Sequence, residues 1–138
     1  MTPDIPVAPT GRRANLIASL TTVALLLMMT LSGALYVVSP PPLLRALEPL
    51  GYPAYFLRLL GVAKLLGVAA LLVPGRPLLK EWAYAGFTFD LLAALASHLV
   101  TGTAAHAPPA LFALVLVLTS YRFAHRGGRV ELFRRVTP

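Results

Sequence analysis

No cysteine occurs anywhere in the 138 residues. Disulfides, iron–sulfur clusters, covalently attached haem and thiol nucleophiles are therefore excluded, together with any redox step carried by the protein's own thiols. Charge is also scarce, at 12% of residues with only five of them acidic, whereas a soluble domain carries about a quarter. Histidine is limited to three positions, His98, His106 and His125, without the spacing of a zinc site or a paired haem site, so neither group is expected. What fills the chain is apolar: 57% of residues are hydrophobic and the mean hydropathy is +0.75, the composition of a membrane protein. The formal charge of +7 would suit nucleic acid, but the basic residues gather in two tails and one turn without interleaved aromatics. No nucleic-acid partner is expected; the lipid bilayer is.

Four apolar runs are separated by proline-rich or charged breaks. Leu16 to Val38 carries no charge over more than twenty residues, enough at about 1.5 Å per residue to cross a hydrocarbon layer of about 30 Å. Tyr55 to Val73 stops at Pro74-Gly75, and Leu79 to Val100 stops at Thr101-Gly102. The fourth run opens at Pro108-Pro109, well placed in a first helical turn, and extends to Phe123. The expectation is an all-α integral membrane four-helix bundle over residues 15–123, flanked by a tail over 1–14 and a basic tail over 124–138. A short interfacial segment is expected between the first two spans. There Leu43, Leu44, Leu47 and Leu50 share one helical side, as suits a connector lying in the interface plane or a lid over a cavity.

Orientation follows from retention of basic residues on the cytoplasmic side. Arg12 and Arg13, then Arg76 and Lys80, then Arg122, Arg126, Arg129, Arg134 and Arg135 fall on one side of a four-span chain. Both termini are thus expected in the cytoplasm. Arg12-Arg13 before an apolar run also resembles a twin-arginine secretion signal, but this run is longer than a signal's and leads into Tyr36-Val37-Val38-Ser39-Pro40 rather than a cleavage site.

The informative residues are ionisable groups inside apolar runs. Lys64 and Asp90 each lie near the middle of a span, where a lone charge costs about 2.5–3.5 kcal/mol. Their hairpin centres near Pro77, thirteen residues from each, so an antiparallel arrangement brings them to equal depth as ion-pair partners. Gly61 and Gly67 flank Lys64 while Gly86, Ala94 and Ser97 follow Asp90, and these small residues are expected to let the two helices pack closely. The pair reads either as a structural lock on the hairpin's register or as a site that contacts a ligand or carries protons. Ser97 and His98, two turns further along, join it as candidate site residues, His98 for proton exchange or for hydrogen bonding a quinone or carbonyl. Glu81, Trp82 and Tyr84 open the third span and are expected to anchor it among lipid head groups. No catalytic constellation and no metal site is evident.

Several stretches closely resemble the DoxX-like family of small bacterial membrane proteins, over about residues 32–123. They are Gly61-x-x-Lys64-x-x-Gly67, the run from Lys80 through Glu81, Trp82 and Tyr84 to Gly86, then Asp90, Ser97-His98, and Pro109-Ala110 through Ser120-Tyr121. The resemblance implies a four-helix membrane bundle in the bacterial cytoplasmic membrane. Most members lack an assigned activity; the namesake relatives are associated with a thiosulfate:quinone oxidoreductase, and others with oxidative or thiol stress. Three functions stay open: a non-enzymatic membrane subunit or binder of a small lipophilic ligand, a quinone-linked oxidoreductase subunit served by a membrane or peripheral redox partner, and a small transporter. The transporter would need a homo-oligomer, because four helices enclose little space and no inverted repeat is visible. No cofactor site is evident in the residues themselves, with quinone the one ligand the second function would bring.

Overall fold

The computed structural model describes the backbone of residues 12–136 and the side chains of residues 16–124. Five helices follow one another, α1 (Arg12–Val38), α2 (Pro41–Leu47), α3 (Ala54–Leu72), α4 (Pro77–Val100) and α5 (Pro108–Val136), with no strand among the described residues. The architecture is an all-α membrane bundle. Prolines begin α2, α4 and α5, where a missing amide hydrogen leaves no helical bond unmade. Glycines at positive φ turn the chain between elements: Gly51 at 73°, Gly75 at 71° and Gly102 at 69°. Ser39 takes the same role without being glycine, at φ 48°, held by its amide on Leu35 O at 2.8 Å and its hydroxyl on Tyr36 O.

The four long helices form a closed ring in which α1 packs on α3, α3 on α4, α4 on α5 and α5 back on α1. Leu25, Met29, Phe87, Leu91, Ala113 and Val117 fill its axis. The outside is as apolar as the inside, with Leu20, Leu27, Leu66, Phe89 and Phe112 exposed, a surface suited to acyl chains. Three helices are long and apolar enough to cross a membrane, over Leu16–Val38, Ala54–Leu72 and Pro77–Val100. A shorter apolar helical stretch, Pro108–Ala124, completes the ring.

At both ends of the chain the helices extend past the apolar runs. Helix α1 begins at Arg12, and α5 continues beyond Phe123 to Val136 as one helix. No proline interrupts residues 110–137, and the Gly127-Gly128 pair weakens a helix by only about 1 kcal/mol per residue. Of the residues on which the expected orientation rests, the side chains of Arg12, Arg13, Arg126, Arg129, Arg134 and Arg135 lie outside the described residues, as does that of His125. Between α1 and α3, Leu43, Leu44, Leu47 and Leu50 are half-buried while Arg45 and Ala46 are exposed, so α2 and the turn after it present one apolar side.

Candidate functional site

Lys64 and Asp90 meet between α3 and α4. The ammonium nitrogen stands 3.0 Å from Asp90 Oδ2, with the two side chains 8% and 11% exposed. The lysine is well supplied: its Nζ donates to Ser32 Oγ at 3.2 Å and lies 4.8 Å from the centre of the Tyr36 ring, both on α1. The aspartate is less so, because its buried Oδ2 has that ammonium at 3.0 Å and no further hydrogen-bond partner. The sequence marks the pair itself. It also holds a signal for the lysine's further partners that composition conceals: Ser32, Gly33 and Tyr36 form a small and polar stripe at helical spacing in an otherwise bulky run.

The pair lies on the wall of a groove of about 270 Å³ between α3 and α4. Leu66, Ala70, Leu79, Trp82 and Phe87 supply the apolar walls, and one side opens outward past Trp82, 71% exposed. Gly86 contributes by absence, since a Cβ there would meet nothing within 4 Å. This corrects its expected part in close packing: it faces the groove, not a neighbouring backbone. Gly67 does sit tightly against α4, where a Cβ would come 2.7 Å from the Phe87 ring. Gly61 is equally tight but against α1, with Gly33 O at 2.7 Å and Tyr36 Cβ and Val37 N at 2.8 Å from an added Cβ. The small face of α3 thus serves two neighbours.

Ser97 and His98 are held apart from the pair, at the far end of α4. Ser97 Oγ donates to Ala93 O at 2.8 Å, leaving the Tyr52 hydroxyl to donate to it at 2.6 Å. His98 Nδ1 lies 2.8 Å from Thr103 Oγ1, and its ring stacks on His106 with centroids 6.3 Å apart. Eight residues of helix, about 12 Å, separate His98 from Asp90. These contacts fasten the α2–α3 connection and the α4–α5 turn over that end of the bundle. Among the described residues, no group of three acidic or histidine side chains gathers to hold a metal.

The model of the DoxX-like family matches residues 20–120. The chain belongs to the DoxX-like family. No curated protein and no solved structure matches it.

The matched span of this DoxX-like protein includes the pair, the groove and the residues at both helix ends. At the opposite end of α4 from His98, the anchors expected together separate, since residues two apart on a helix point about 200° from each other. Trp82 faces outward, but Tyr84 is 6% exposed and belongs to the core, which corrects its expected place among head groups. Its hydroxyl lies 2.9 Å from Ser120 Oγ, which in turn lies 2.7 Å from Thr22 Oγ1, tying α4, α5 and α1. Glu81 is half-buried and accepts a hydrogen bond from the Tyr121 hydroxyl at 3.1 Å, and the rings of Tyr84 and Tyr121 meet edge to face at 5.4 Å. Thr22 carries no signal in the sequence, and Ser120 enters only through the resemblance, because isolated hydroxyl residues in apolar helices usually bond their own backbone.

Proposed function

We propose that this DoxX-like protein is a non-enzymatic membrane subunit that holds a small lipophilic ligand in the groove between α3 and α4. It crosses the bacterial cytoplasmic membrane four times, with α5 as the fourth crossing and both termini in the cytoplasm. The 17-residue, mainly apolar stretch Pro108–Ala124 supports the fourth crossing, being at the short end of what spans a bilayer and packed as an equal member of the ring. The basic residues at both termini and in the α3–α4 turn support the orientation.

One observation carries the binding reading: a buried ion pair on the wall of an apolar groove that opens to the outside of the bundle. Binding sites for small molecules are largely apolar cavities with a few convergent polar groups, and this groove has that composition. A pair serving only to lock register needs no adjoining space.

Trp82 makes the reading testable, because it is the chain's only tryptophan and stands on the groove wall. In detergent, a brominated fatty alcohol is expected to quench its emission saturably. Gly86→Leu, which extends a side chain into open space, is expected to weaken that quenching about tenfold without lowering the melting temperature. Equal quenching of both proteins would contradict occupation of the groove.

A further inference from the structure

We infer that the ligand of this groove is a neutral lipophilic molecule that donates a hydrogen bond, a hydroxyl compound such as a long-chain alcohol or an alkylphenol, and that the Asp90 carboxylate accepts it. The inference rests on the groove being a binding site, as proposed above, and names what the site selects.

The two charged groups on the wall are unequally satisfied. Lys64 has Ser32 Oγ, the Tyr36 ring and the aspartate itself around its ammonium. Among the described residues, Asp90 has the ammonium at 3.0 Å from its buried Oδ2 and no further hydrogen-bond donor. A carboxylate offers about four acceptor positions, and inside an apolar bundle an unfilled one is costly. In water such vacancies fill themselves. Here the space next to the carboxylate is an apolar groove, so the missing donor has to arrive on a molecule that is apolar elsewhere.

The groove's chemistry excludes the other common heads. A ligand offering only acceptors, such as an ether or an ester, brings nothing to a carboxylate. A lipophilic carboxylic acid, once ionised, would place a second anion beside Asp90. A lipophilic cation would compete with Lys64, which already balances the aspartate's charge at 3.0 Å. A hydroxyl adds a donor without altering that balance. The torsion that orients an aspartate carboxylate is soft, so a small turn presents either oxygen to the groove. The α3–α4 hairpin supplies the rest: Gly86 leaves room for the chain, and Phe87 and Leu66 bound it.

The test compares decan-1-ol with its methyl ether as competitors of a brominated alkane quencher at Trp82, at equal mole fractions in the detergent micelle. The two differ in one donor and little else. The alcohol is expected to displace the quencher at least about tenfold more effectively, the discrimination typical of a hydrogen bond to a charged group. Equal displacement by both compounds would overturn the inference while leaving the groove a binding site. Displacement by neither would overturn the binding reading, and the inference with it. The preference is read on the unmodified protein, so no variant has to fold for the result to count. As a second arm, Lys64→Leu with Asp90→Leu exchanges the pair for apolar side chains of similar bulk; there the alcohol and the ether are expected to become equivalent. A preference that survives the exchange would remove Asp90 as the acceptor.

Discussion

Lys64→Leu is expected to destabilise the bundle by about 3–5 kcal/mol, and Asp90→Leu by a similar amount, because each leaves the other charge buried without its counter-ion. The double variant is expected to recover most of that loss, since replacing a buried pair by apolar side chains is often close to neutral. Unfolding titrations of the four proteins in bicelles give the coupling directly, and losses that simply add would deny the contact. Exchanging the charges, Lys64→Asp with Asp90→Lys, is expected to restore less than the apolar double. At position 64 the anion would face the Tyr36 ring and lose the favourable contact a cation makes there. The lysine is therefore on the correct helix for a reason beyond pairing.

The second large effect is steric and lies on α3's other side. Gly61→Ala sets a Cβ within 2.7 Å of Gly33 O and 2.8 Å of Val37 N. Both are backbone atoms of α1, so relief requires the helices to part, at about 1–3 kcal/mol or more. Parting α1 from α3 also withdraws Ser32 and Tyr36 from Lys64, which couples this crossing to the ion pair. Gly86→Ala adds the same methyl group where nothing lies within 4 Å and is expected to be neutral or slightly stabilising through helix propensity. Thermal melts of the two variants side by side check the contrast; equal melting temperatures would mean that α1 and α3 do not cross at these glycines.

The class of fold is legible in the sequence because a bilayer accepts few designs, and long apolar runs broken by proline and glycine state one of them. The Lys64–Asp90 contact is legible for a geometric reason: two helices joined by a short turn must place residues equidistant from it at one depth. Rotation about each helix axis is not given by depth. That is why Gly86 and Tyr84 change roles in the structure, and why the α1 partners of Lys64 do not follow from the hairpin alone. Ser97 and His98 illustrate the same limit along the axis. They share a helix with Asp90 yet bond to Tyr52 and Thr103 at its end. The groove depends on which small residues lack a neighbour, a property of the assembled ring and not of any one helix.

Photoaffinity mapping tests the central claim most directly. A decanol bearing a diazirine on its chain, irradiated with the protein in nanodiscs and followed by peptide mass spectrometry, is expected to label residues 60–70 and 79–90. Unlabelled decanol is expected to suppress that label selectively. Label spread evenly over lipid-facing positions such as Leu20, Leu27 and Phe112, and unaffected by competitor, would show that the α3–α4 groove holds no ligand.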